Sequence, residues 1–146
     1  MENSFDSGHP IVDAVLFNGE VDLLKLRIKY LERHVDKFVI GQSLITFSNK
    51  PKKIINPDLI NSELNLFRHK IDYVTLDSEK DTSFWNIERS QRKSLLDYLR
   101  GSYLNHSVLY CDVDEIPSLE QVLELQKISG GIFSIPMKMT YLFANA

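Results

Sequence analysis

Cysteine is nearly absent from this chain: Cys111 is the only one in 146 residues. No internal disulfide can form, and a cysteine-rich zinc site is ruled out. No apolar run approaches the roughly 20 residues of a membrane-spanning helix. The opening MENSFDSGHP lacks the charged and apolar regions of a secretion signal. Together these absences predict a cytoplasmic chain with no membrane segment, in which the sequon Asn105-His106-Ser107 carries no meaning. A basic excess is missing too. Lys and Arg number 17 against 20 Asp and Glu, a net charge of −3, so no nucleic-acid partner is expected. Neither a P-loop nor a GxGxxG occurs, and His9, His34, His69 and His106 show no metal-ligand spacing.

What is present is an alternation of two periods. PIVDAVLF (10–17) reads as a strand, and a turn at Gly19 follows. Val21, Leu24, Ile28, Leu31 and Val35 then recur at helical spacing, predicting a helix over 20–35. KFVIGQS (37–43), IDYVTLD (71–77) and SVLYCDV (107–113) read as further strands. Asn56 and Pro57 are placed to open a helix running to Phe67. A long helix is expected from Ser83 to Arg100, stopped by Gly101-Ser102, and another from Pro117-Ser118 to Ile128. The segment 132–146 reads as one strand, or two interrupted at Pro136. Uniformly apolar strands between helices predict an α/β fold, a mostly parallel sheet with helices on both faces. Residues 1–9 are expected to be a flexible N-terminus, and 10–146 a single unit that stops without a closing helix.

The stretch LYCDVDEIPS (109–118) places Asp112, Asp114 and Glu115 where an apolar strand emerges. In open parallel sheets, ligands bind beyond the carboxyl ends of the strands. Residues two apart on a strand share a face, so Asp112 and Asp114 are expected to address one site. Two carboxylates about 5 Å apart repel by roughly 3 kcal/mol at an effective dielectric near 20. A hard cation such as Mg²⁺ or Mn²⁺, with its remaining positions filled by phosphate oxygens and water, relieves that repulsion. The plainer alternative is that Asp112 or Glu115 caps the following helix.

The blocks VDAVLFNGEVDLLKLRIKYLERHVDKFVI, SLITFSNKPKK, FWNIERSQRKSL and VLYCDVDEIPSLEQV occur in this order across residues 11–125. In them the sequence resembles glycosyltransferase family 17, which includes β-1,4-mannosyl-glycoprotein N-acetylglucosaminyltransferases. The resemblance implies a GT-A-type, Rossmann-like fold in which DVDEIP is the DxD element. It implies metal-assisted, inverting transfer of a sugar, such as N-acetylglucosamine, from a nucleoside diphosphate sugar (a UDP-sugar) to a glycan acceptor. By the same resemblance Asp114 ligates Mn²⁺ or Mg²⁺ directly, and Asp112 binds the metal through water or touches the ribose. Such domains continue beyond the length of this chain, which is expected to lack the acceptor half and the general base. Glu115 is a candidate base that is not assigned. The family carries an acid in VIVES where this sequence has VIGQS, so Gln42, with Ser43 beside it, bears on donor choice.

Asn18 and Glu20 follow the first strand at the same end of the sheet as the acids. They suit donor contact, or, for Glu20, simply the start of a helix. Arg27 is expected to pair with a carboxylate across the fold. Trp85, Glu88 and Arg92 share a helical face with Leu95 and Leu99. Arg92 or Gln91 either reaches the diphosphate or makes an ordinary surface pair, and Trp85 is expected to pack in the core. Lys50, Lys52 and Lys53 form a basic loop that is either solvated or able to close over a diphosphate. Two rival readings are a catalytically silent nucleotide- or glycan-binding module and a DxD phosphatase.

Overall fold

A computed structural model describes residues 9–80, 82–128 and 130–137, and every structural statement below concerns these residues. The four strands are β1 (Ile11–Leu16), β2 (Lys37–Ser43), β3 (Ile71–Leu76) and β4 (Ser107–Asp112). They form one sheet in the order β3-β2-β1-β4, with every pairing parallel. The helices are α1 (Val21–Leu31), two single turns α2 (Pro57–Ile60) and α3 (Ser62–Asn65), the long α4 (Phe84–Ser102) and α5 (Leu119–Leu125). No described helix is long and apolar enough to cross a membrane.

The alternation along β1 explains the layers. Ile11 and Val15 face Leu24, Ile28, Leu31, Leu64 and Val122, the apolar stripes of α1, α3 and α5. Val12, Ala14 and Leu16 face the other way, onto Leu95 and Leu99 of α4. With helices on both faces, β1 is buried along its whole length. The expected α/β fold is thus what forms.

Several boundaries move for local reasons. The first helix ends at Leu31, because Asp36 ties itself to Ile11 through both its amide and its carboxylate and so starts β2. The helix expected over 56–67 breaks in two. Asn56 makes no side-chain cap; Asn61 takes extended backbone (φ −134°, ψ 109°) and accepts the amides of Glu63 and Leu64. Gly101-Ser102 does not stop α4. Gly101 keeps an ordinary φ, and the helix ends instead at Tyr103, whose ring meets Tyr98 and His106 and whose hydroxyl bonds Asp72. Ser118 and Gln121 form a reciprocal capping box that opens α5. Residues 132–137 form no strand. The expected flexible N-terminus, except His9, and the strand expected over 138–146 lie outside the described residues.

Gln42 sits on β2 and is 3% exposed. Its amide nitrogen donates to the Ile55 carbonyl at 2.6 Å and its oxygen accepts the Ile55 amide at 3.1 Å. The segment after β2 is thereby clipped to the sheet. A glutamate at 42 turns a carboxylate oxygen towards that carbonyl and leaves both groups unsatisfied. Gln42→Glu is therefore expected to cost about 1–3 kcal/mol in urea unfolding at neutral pH. The loss should shrink as the pH falls and the carboxyl regains a proton to donate.

Candidate functional site at the sheet switch point

Successive strands step from β1 to β2 to β3 on one side, and β4 then adds to the other side of β1. The reversal opens a crevice at the carboxyl ends of β1 and β4, the usual ligand position in such sheets. A cleft of about 450 Å³ lies there, lined among others by Asn18, Glu20, Glu88, Arg92, Asp112 and Asp114.

The turn that carries the acids is held from beneath by Arg27. This side chain is 0% exposed and meets the equally buried Asp13 of β1, with Nε and Nη2 each donating to one carboxylate oxygen at 2.7 Å. Nη2 also donates to Cys111 Sγ. Nη1 points at three backbone carbonyls of the acidic turn, Asp112 (3.2 Å), Val113 (3.4 Å) and Glu115 (2.7 Å). Every guanidinium nitrogen is used. Burial opposes the charge, but Asp13 outweighs it and holds the Arg27 pKa above the ordinary arginine range. The carboxylate partner expected for Arg27 is thus Asp13; its grip on the turn was not anticipated. Burial also pushes the Cys111 thiol up to about 11, with Arg27 acting in the opposite direction.

β4 ends at Asp112, so Asp112 and Asp114 do not lie two apart on a strand as expected. The Glu115 amide donates to the Asp112 carbonyl, and the Glu115 carboxylate accepts the Asp112 amide at 2.9 Å. This tight turn still leaves Asp112 and Asp114 on the same cleft. It also directs Glu115 onto backbone, while Ser118 rather than an acid caps α5.

Arg92 of α4 reaches across the cleft. Its Nε donates to Glu88 and its Nη2 to Asp112 Oδ1, each at 2.9 Å. Partial burial disfavours its charge, yet Glu88 and Asp112 more than offset this and raise its pKa. Asp114 is exposed, and its carboxylate has no hydrogen-bond or ion-pair partner among the described residues. At the mouth, Lys52 Nζ donates to Asn18 Oδ1 at 2.6 Å and to the Phe17 carbonyl at 3.2 Å. Burial lowers its pKa, with Glu20 pulling the other way. The Glu20 carboxylate accepts the Asn18 amide at 2.9 Å and shapes the turn before α1.

The structure therefore gathers Asn18, Glu20, Arg92, Asp112 and Asp114, and leaves three other candidates outside the lining. Gln42 is spent on Ile55. Ser43 is buried and accepts the Ile45 amide. Gln91 is buried and donates to the Ile45 carbonyl and to Ser78, joining α4 to the loop after β2. Trp85 does not pack in the core; it is 70% exposed and lines the cleft with Phe47 and Phe84.

Among the described residues no three acidic, histidine or cysteine side chains converge as a metal cage. The donors on offer are carboxylate oxygens, with Asp114 unpaired beside Asp112. That set suits Mg²⁺ or Mn²⁺, which take one or two carboxylates and complete their shell with phosphate oxygens and water.

The family model of glycosyltransferase family 17 matches residues 3–144. The chain belongs to this family. Three relatives, from Rattus norvegicus, Homo sapiens and Mus musculus, bear the name beta-1,4-mannosyl-glycoprotein 4-beta-N-acetylglucosaminyltransferase. Each is 30% identical over 130 residues, covering 82% of this chain and 24% of the relative. The family 17 chain described here thus spans about a quarter of the length of the curated relatives it matches. No solved structure matches it.

Arg27→Ala strands the Asp13 carboxylate without its partner and is expected to cost about 3–5 kcal/mol in denaturant unfolding. Native Cys111 should alkylate at pH 8 about 100-fold more slowly than an ordinary thiol, because a pKa near 11 leaves little thiolate. Mass spectrometry of iodoacetamide-treated chain checks this, and unfolding should abolish the difference.

Proposed function

We propose that this chain is the donor-binding part of a GT-A-type glycosyltransferase. It would hold a nucleoside diphosphate sugar for metal-assisted, inverting transfer to a glycan. The observation that carries the reading is the unpaired Asp114 carboxylate beside Asp112 at the sheet's switch point, in a member of this family. The relatives' printed name favours N-acetylglucosamine as the sugar, and a UDP-sugar is the donor inferred from family likeness.

Asp114 and Asp112 are the residues that would hold Mn²⁺ or Mg²⁺. When bound, the cation supplies Lewis acidity to the departing diphosphate. Arg92 presents a planar guanidinium that matches phosphate oxygens, and its present partners, Glu88 and Asp112, keep it aimed into the cleft. Asn18, oriented by Lys52, offers an amide nitrogen to the nucleoside. Inversion requires a base for the acceptor hydroxyl on the face opposite the diphosphate. Glu115 is committed to the Asp112 amide, so the base is left unassigned. A phosphatase would want a nucleophilic acid at the end of its first strand; β1 ends at Leu16, and its acid, Asp13, stands mid-strand, sealed by Arg27.

Isothermal titration tests the donor site. Mn²⁺ should tighten nucleoside diphosphate binding at least tenfold, and Asp114→Asn should remove the gain while the unfolding midpoint stays put. Equal affinity with and without metal would contradict the reading. Metal-dependent binding without sugar release or transfer, in a product-resolved assay of the full protein, would identify a silent binding module.

A further inference from the structure

Phe47, Phe84 and Trp85 form a continuous aromatic wall on the cleft that donor binding at Asp112 and Asp114 does not use. The ring centres of Phe47 and Phe84, and of Phe84 and Trp85, are each 5.4 Å apart, edge to face at 75° and 89°. Phe84 is 46% and Trp85 70% exposed. Both stand on the first turn of α4, whose buried stripe is Ile87, Gln91, Leu95 and Leu99, so the helix turns them away from the core. Trp85 also borders a second depression of about 280 Å³ with Glu88, Arg89 and Arg92. The indole is thus flanked by hydrogen-bonding groups of both signs.

That surrounding chemistry selects the occupant. An apolar protein segment laid on the wall would bury Glu88, Arg89 and Asp114 without meeting their polar atoms, a costly desolvation. A pyranose offers an apolar C–H face for the rings and a rim of hydroxyls that both donate and accept. The cleft lining carries four acids, Glu20, Glu88, Asp112 and Asp114, against the single cation Arg92. With Arg89 beside Trp85 and Lys52 at the mouth the field is mixed, and a neutral ring enters it without bringing a further charge.

We infer that the Phe47–Phe84–Trp85 wall binds the face of a neutral sugar ring, whose hydroxyls donate to Glu88 and accept from Arg89. The inference deepens the glycosyltransferase reading and rests on it only for the source of the ring, the transferred sugar or the acceptor glycan.

Trp85 is the sole tryptophan, so its fluorescence reports on the wall directly. The chain is titrated with a neutral oligosaccharide, with a nucleoside diphosphate, and with the corresponding nucleoside diphosphate sugar, the last two in Mn²⁺. A saturable emission change with the oligosaccharide assigns the wall to the acceptor. A change with the nucleotide sugar but not with the bare nucleotide assigns it to the transferred sugar. Phe84→Ala, which keeps the reporter and removes an exposed side chain, should weaken the responding saccharide about tenfold. Nucleoside diphosphate affinity should stay within about twofold. Saturation-transfer NMR on Trp85→Ala, with its fold checked by circular dichroism, should show the same loss. The inference is overturned if no saccharide changes the emission, or if the bare nucleotide gives the full change, which would mean base stacking. Saccharide binding without any nucleotide binding would keep the wall and remove the donor reading; the reverse pattern would do the opposite.

Discussion

One buried ion pair organises this molecule. Arg27 and Asp13 lie between the sheet and α1, where an unpaired charge is prohibitively costly. Their bidentate contact leaves Nη1 free to gather the carbonyls of Asp112, Val113 and Glu115. A backbone turn outside regular structure has no ladder to fix it. Here a helix residue supplies the missing donors, so the acidic turn takes its position from the core. An apolar pair of similar volume would fill the same space but would have nothing to offer those carbonyls. The polar solution is explained by what it holds.

The electrostatics of the cleft follow from that placement. Asp112 and Asp114 are presented side by side, and among the described residues the cation that reaches them is Arg92, which engages Asp112 and Glu88. Asp114 is left beside Asp112 as open acidic capacity. In the function proposed here a cation would offset this imbalance, and a neutral polyhydroxyl ligand over the aromatic side would add no charge to it. One cleft thus has an anionic end formed by β4 and an aromatic edge formed by the start of α4 and the loop after β2.

The sequence made the layers legible because strand and helix periods are local. The four strands and the long helices stand close to where the apolar patterns place them. The breaks at Asn61 and Tyr103 were hidden because each depends on a capping or ring contact formed only in the folded chain. That Asp112 and Asp114 would share one cleft was legible through their position after a buried strand. The roles of Asp13 and Arg27 were half legible: pairing was expected, while the hold on the turn depends on contacts 85 to 88 positions apart in sequence. Trp85 was misjudged because an aromatic near an apolar helical stripe looks like core until the helix phase is known. Gln42 follows a strand as a ligand contact would, but only the folded loop shows that Ile55 occupies its amide.

In the proposed function a cation and a nucleoside diphosphate meet at the turn that Arg27 supports. Paramagnetic broadening by Mn²⁺ in amide NMR spectra of the chain with nucleoside diphosphate measures this directly. Signals from Asn18, Glu20, Val113 and Asp114 should vanish at the lowest metal concentrations, while those near the surface acids Glu63 and Asp97 persist. Broadening centred on those surface acids, or spread evenly over the chain, would contradict the account.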